Sequence, residues 1–175
     1  MRSRTTKGIA TAAIAVALSI SGTGIATATA DTAAPKQDSA AAKSITRGEV
    51  IKRAQKWAKN PVPYSMNKYK DGYRTDCSGY VSLAWKLGDS LSTVTLPNVA
   101  KPIKKSQLKA GDILGNLGPG TGGAAGHVVI FEKWANKEHT AYWTYEQTPP
   151  HTMHHKVSYP GHKNFKPYRY KNIKD

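Results

Sequence analysis

The sequence predicts an α+β domain in which two helices precede an antiparallel sheet. Apolar residues recur at helical spacing between positions 45 and 60, and again after Asp76. From Gly111 onward, short runs rich in β-branched and aromatic residues alternate with turn-forming residues. The helical and strand-like patterns do not interleave, which points to segregated helices and strands rather than to βαβ units.

The first thirty residues differ from the rest. Arg2, Arg4 and Lys7 form a basic start, a mostly apolar run extends from Ile9 to Ile20, and small residues lead to Ala28-Thr29-Ala30. This is the layout of a secretory signal peptide, with cleavage expected after Ala30. The apolar run is shorter than the ~20 residues a spanning helix needs. Ser3 separates the two arginines, which favours the general export route over the twin-arginine one. Residues 31–43 are Ala-rich and lack any large apolar residue. They are expected to be a disordered linker, because they cannot bury enough surface to offset their ordering entropy. The folded domain is then residues 44–175, with no internal repeat and no second stretch able to span a membrane; a secreted or wall-associated monomer is expected.

The chain carries a net charge of +15. A cleaved leader takes three basic residues and no acidic ones, leaving +12. The basic residues are dispersed (Lys68, Lys70, Lys104, Lys105, Lys156, Lys163 and Lys166) rather than gathered on one helix. That dispersal, in an exported protein, argues against nucleic acid as the partner and for an anionic cell wall.

Thr46 and Glu49 form a capping box, with Ile45 and Val50 placed as a hydrophobic staple. Val50, Ile51, Ala54, Trp57 and Ala58 share one helical face, and Asn60-Pro61 ends the helix. A loop is expected over 61–75. The second helix begins at Asp76, whose carboxylate caps free N–H groups; Cys77, Val81 and Trp85 share a face, and Gly88 supplies the stop. Residues 89–109, with Pro97 and Pro102, read as irregular. Strands are expected at Ile113–Leu114, His127–Trp134, Thr140–Gln147, Thr152–Tyr159 and Lys166–Tyr170.

Cys77 is the single cysteine. Small secreted domains carry cysteines in pairs, as disulfides, so a lone thiol is either an inert packing residue or a nucleophile. Its position in the first turn of a helix favours the second reading. There the helix dipole and unpaired N–H groups favour a thiolate and can stabilise an oxyanion. Gly79 is expected to leave room for a substrate. His127, which opens a strand after the Gly-rich stretch 115–126, is the candidate general base. No Lys-Ser or Lys-Thr follows those glycines, so the stretch is not a phosphate loop.

A base of this kind needs a third group to orient it. A two-residue turn at Asn136-Lys137 sets His127 directly opposite Glu146 on one sheet face. A looser turn shifts the partner to Gln147 or Thr148, whereas His139 requires a turn inside a strand-like run.

Asp76-Cys77-Ser78-Gly79-Tyr80-Val81 resembles the signature of NlpC-type peptidases, papain-like hydrolases that cut amide bonds in bacterial cell-wall peptides. Leu108-Lys109-Ala110-Gly111-Asp112-Ile113-Leu114 and Gly126-His127-Val128-Val129-Ile130 resemble two further segments of that family, in the family's order. The resemblance implies a papain-like fold with Cys77 and His127 catalytic. It also implies a role for Tyr64, which resembles a tyrosine upstream of the cysteine that assists the oxyanion. Many NlpC-type enzymes carry the third polar residue about a dozen positions after the histidine, near His139. Tyr145-Glu146-Gln147 is more similar to the related CHAP amidases, although Thr148 stands where those have Asn.

His151, His154, His155 and His162 do not make a metal site by pattern, since adjacent strand residues point to opposite faces; no metal or other cofactor is expected. Tyr142, Trp143, Tyr145, Tyr159, Tyr168 and Tyr170 suit either a ligand platform or half-buried sheet packing. The expected function is a cysteine amidase or endopeptidase acting on peptidoglycan stem peptides. Hydrolysis or transacylation of another secreted amide, and non-catalytic wall binding or inhibition, are the alternatives.

Overall fold

A computed structural model describes residues 44–175; the expected leader and linker lie outside the described residues. The fold is α+β. Helix α1 (Arg47–Lys59) and helix α2 (Cys77–Trp85) pack on an antiparallel six-stranded sheet. Its strands are β4 (Ala100–Pro102), β5 (Ile113–Asn116), β6 (His127–Trp134), β7 (Ala141–Gln147), β8 (Thr152–Ser158) and β9 (Lys166–Tyr170), in the order β4-β9-β5-β6-β7-β8. Two small pairings lie outside this sheet. Strands β2 (Tyr69–Lys70) and β3 (Tyr73–Arg74) form a hairpin ahead of α2, and β1 (Ile45–Thr46) runs parallel to β10 (Ile173–Lys174). No helix among the described residues is long and apolar enough to cross a membrane.

Helix α1 starts as its sequence dictates. The Thr46 side chain accepts the Glu49 N–H at 3.2 Å, satisfying one donor that has no partner within the helix. The Glu49 side chain meets Lys86 instead of completing the box. Val50, Ala54 and Trp57 are buried, and the Trp57 ring stacks on Tyr80 of α2 at 5.4 Å. All nine residues of α2 are buried, which makes it the central helix of the domain. It ends two residues earlier than expected. Lys86 adopts a left-handed conformation (φ 57°, ψ 45°) and returns its N–H to Leu83, so the stop is Lys86 and not Gly88.

The sheet buries both faces. Ile113, Val128, Ile130 and Tyr145 face the helices with Val81, Trp85 and Tyr170. Leu114, Val129, Phe131 and Tyr142 turn the other way, onto Leu108 and Phe165. This is the period-2 alternation of a sheet covered on each side. Tyr142, Tyr145 and Tyr170 are therefore core residues. Within the segment expected to be irregular, β4 forms an edge strand. An edge position tolerates Pro102, because the missing N–H would not have joined a ladder there.

Asp112 is fully buried and fastens three parts of the chain. Its carboxylate accepts hydrogen bonds from Arg47 of α1 (3.0 Å), Arg169 of β9 (2.9 and 2.7 Å) and the Lys109 backbone (2.9 Å). The Gly-Asp pair before β5 is thus an architectural element. Asp112→Ala leaves two guanidiniums without their shared partner, and the expected loss is about 3 kcal/mol of unfolding free energy, measured by urea denaturation.

Candidate active site

Asp76 caps α2 as its sequence position predicts. Its Oδ1 accepts the Gly79 N–H at 2.7 Å, and Arg74 clamps the same carboxylate while reaching Ser78 Oγ at 3.0 Å. Cys77 therefore occupies the first position of the helix, where its own N–H has no partner one turn back. The thiol is free and 5% exposed.

The expectation for Gly79 needs correcting. A Cβ at Gly79 would lie 2.0 Å from the Arg74 carbonyl oxygen, so the missing side chain makes room for the chain itself and not for substrate. The β2–β3 hairpin can return into α2 at this angle only over a glycine.

Gly126, just before β6, is needed for a similar reason: a Cβ there would lie 2.3 Å from the Thr121 carbonyl oxygen. His127 follows it and opens β6 beside the start of α2. Its Nε2 lies 2.6 Å from Glu146 Oε1. An ionised carboxylate only accepts, so Nε2 carries the proton and Nδ1 is the nitrogen left for Cys77. Burial depresses the His127 pKa, but hydrogen bonds with Cys77 and Glu146 outweigh it and raise the value to about 9. For Glu146, burial works against ionisation, and the two histidines bonded to it overcome that, so its pKa falls below the usual carboxylate range.

The structure brings His127 and Glu146 together by a different register from the one expected. Ile130 pairs with Tyr145 and Phe131 with Thr144, with a bulge before Lys133. Extended outward, this register sets His127 opposite Thr148, two residues beyond a directly opposed Glu146. Glu146 is a diagonal neighbour on the same face, and its longer side chain spans the offset. The turn is not Asn136-Lys137 alone. Residues 135–140 connect the strands, with Asn136 bridging to Thr140 and Ala141.

The other three candidates for that role are differently engaged or lie past the paired residues. His139 sits at the hairpin tip with its ring stacked on Trp134 at 4.5 Å. Gln147 is fully buried and donates to the carbonyls of Val62 (3.1 Å) and Thr75 (2.8 Å). Thr148 lies past the end of β7.

Tyr64 lines a cleft of about 240 Å³ together with Met66, Cys77, Ser92 and Thr93. Burial raises its pKa, and the nearby Cys77 and Asp76 raise it further against the opposing effect of Arg74. The phenol consequently keeps its proton and can donate it in a hydrogen bond beside the thiol. A second cleft, about 310 Å³, lies against His127 and is lined also by Gly126, His162 and Asn164.

His155, which the sequence pattern does not mark as a site residue, belongs to this cluster. Its Nε2 lies 2.6 Å from Glu146 Oε2, while His154 turns to the opposite face and meets Glu132. Strand alternation separated the two histidines, but only the β7–β8 register shows which of them faces Glu146. His162 packs edge-on against His127 at 5.5 Å. His127, Glu146 and His162 offer ligand atoms within 4.8 Å of one another.

The sequence matches no family model and no curated protein. Among solved structures it superposes on a protein described as similar to lipoprotein, of the NLP/P60 family, from Staphylococcus aureus subsp. aureus Mu50. The TM-score is 0.49 at 19% identity, covering 74% of this chain and 42% of that one. The chain thus spans less than half the length of that structure.

Three outcomes are expected. Gly79→Ala should lower the unfolding free energy by about 3 kcal/mol or more, since the clash is with backbone that cannot rotate away. In nitrogen-detected NMR, the His127 imidazole should titrate near pH 9. Glu146→Gln should move that midpoint down, because it removes a negative partner of the imidazolium. The raised pKa also has a sign for stability. The contribution is full below the unfolded value near 6.5 and is lost as pH rises through about 9.

Proposed function

We propose that this chain is a secreted cysteine amidase or endopeptidase that hydrolyses amide bonds in peptidoglycan stem peptides. The observation that carries the proposal is Cys77 at the start of a buried helix, beside a histidine whose Nε2 lies 2.6 Å from Glu146 Oε1. Nucleophile, base and orienting carboxylate are the three parts that acyl transfer through a thioester needs. In this reading the chain has a papain-like, NlpC-type catalytic domain with a CHAP-like glutamate as its third residue.

The steps follow from the positions of the groups. His127 Nδ1 takes the Cys77 proton, and the sulfur attacks the amide carbon. The resulting oxyanion is met by the Cys77 N–H and the Tyr64 hydroxyl. The His127 imidazolium, stabilised by Glu146, then gives its Nδ1 proton to the leaving amine as the C–N bond breaks, which leaves a thioester. Water, deprotonated by the same nitrogen, attacks the thioester and releases the acid and the thiol. The two clefts flank this pair: Gly123 lines the first and Ala124 the second, so a peptide lying across both would present an amide between Cys77 and His127.

The substrate class rests on three supports. The leader directs the chain outside the membrane, where cell-wall peptide is an abundant amide. The charge of +12 after the leader's loss favours an anionic wall, through an attraction that salt weakens. The three motifs in series resemble those of enzymes that cleave such peptides.

The test is incubation with purified peptidoglycan followed by mass spectrometry of what is released. The folded protein should bind walls in a salt-sensitive manner and release stem-peptide fragments. Cys77→Ala should bind equally and lower the rate by at least about a thousandfold. Binding without release by either protein would assign a wall-binding role. Thiol-dependent cleavage of other amides, with peptidoglycan untouched, would move the substrate and keep the chemistry.

A further inference from the structure

Glu146 carries two histidines, one on each oxygen. His127 on β6 takes Oε1 and His155 on β8 takes Oε2, both at 2.6 Å. The β7–β8 register explains the second contact. Thr144 pairs with His155 and Glu146 with Met153, so His155 is the diagonal neighbour of Glu146 on the face that Glu146 presents to His127. A chain of two hydrogen bonds therefore crosses three adjacent strands. It begins at the imidazole beside Cys77 and ends on a ring that is about one-third exposed, on the edge strand β8.

We propose that His155 is a positioning residue for the catalytic pair, a role that rests on the reading of Cys77 and His127 as nucleophile and base. The reason lies in the freedom of a glutamate. Its terminal torsion is broad and roughly two-fold, so one hydrogen bond to one oxygen leaves the carboxylate free to turn. A second, charge-assisted bond from His155 Nε2–H to the opposite oxygen removes that rotation. Oε1 is then held where the His127 Nε2–H meets it, and the imidazole is kept from turning beside the thiol. The carboxylate that orients the base is itself oriented by a third strand. The neighbours of Glu146 on β7 do not duplicate this role. Tyr142, on the same face of β7, spends its hydroxyl on the Pro160 carbonyl, and Gln147 points to the opposite side.

The decisive comparison is between His155→Gln and His155→Met in the whole protein. The two side chains have similar length, but only glutamine places an N–H near the position of His Nε2. Two readouts separate positioning from simple support of the fold: kcat against KM for release of stem peptides, and the proton resonance of the His127 Nε2–H. His155→Met should lower kcat about tenfold with KM within twofold, the scale of a misaligned catalytic group. It should also broaden or remove the Nε2–H resonance. His155→Gln should keep kcat within about threefold and retain the resonance. Equal behaviour of the two variants, or a loss of thermal stability in His155→Met with kcat and the resonance unchanged, overturns the role. If the wild-type protein releases nothing from peptidoglycan, the substrate reading falls. The resonance, together with the rate of Cys77 alkylation by iodoacetamide in the same three proteins, still decides the positioning role: loss in Met with retention in Gln supports it, and no difference overturns it.

Discussion

Asp76 Oδ1 accepts the Gly79 N–H at 2.7 Å, while the Arg74 carbonyl occupies the space that a side chain at Gly79 would need. These two contacts fix where α2 begins and at what angle the preceding hairpin enters it. Everything in the site is referred to that point. Cys77 is the first helical residue because the cap precedes it, and it is held still because the eight residues after it are buried on all sides. Arg74 adds a second tie, bonding Asp76, Ser78 and the Leu91 carbonyl from one guanidinium. The cap therefore anchors the loop after α2 as well as the turn before it. A surface cap contributes about 1 kcal/mol to a helix. This one also sets the position of a sulfur atom.

The partner side is built by different means. No helix end is involved; three neighbouring strands each place one side chain on a common face. Strand geometry fixes such positions firmly, because hydrogen-bonded ladders on both sides leave β7 little freedom. The site thus joins a helix terminus, which supplies a local field and free N–H groups, to a sheet face, which supplies orientation. Asp112 holds these layers in register from below by tying α1 to β9 beside the start of β5.

Much of this was legible in the sequence, and the parts that were not have physical reasons. The N-caps of both helices could be read because capping is local: Thr46 and Asp76 act on N–H groups three residues away. The longer strands could be read because alternation of apolar residues is also local. The register of β6 on β7 could not, since it depends on a bulge before Lys133 and a six-residue connection. Glu146 emerged as the partner of His127 because the expected and observed registers differ by an even offset, which preserves the face. The end of α2 was misplaced because Lys86 adopts a left-handed backbone that residue type does not announce. The role of Gly79 was misassigned because the Arg74 carbonyl that meets it belongs to tertiary geometry. The partnership of His155 with Glu146 needed a register set by the loop through Pro149 and Pro150.

Glu146 and Gln147 are adjacent on β7 and face opposite sides of the sheet. One serves the imidazoles; the other fastens the backbone at Val62 and Thr75, which brackets the segment carrying Tyr64. A β7 displaced by a single residue would turn each of them to the other face: slipped one way, an amide would meet the histidines; slipped the other, a carboxylate would meet carbonyl oxygens that repel it. The site and the frame around it would fail in the same event. If the proposed activity holds, a misregistered molecule would consequently be silent instead of weakly active, and specific activity per molecule would count the fraction of a preparation whose sheet had assembled in register.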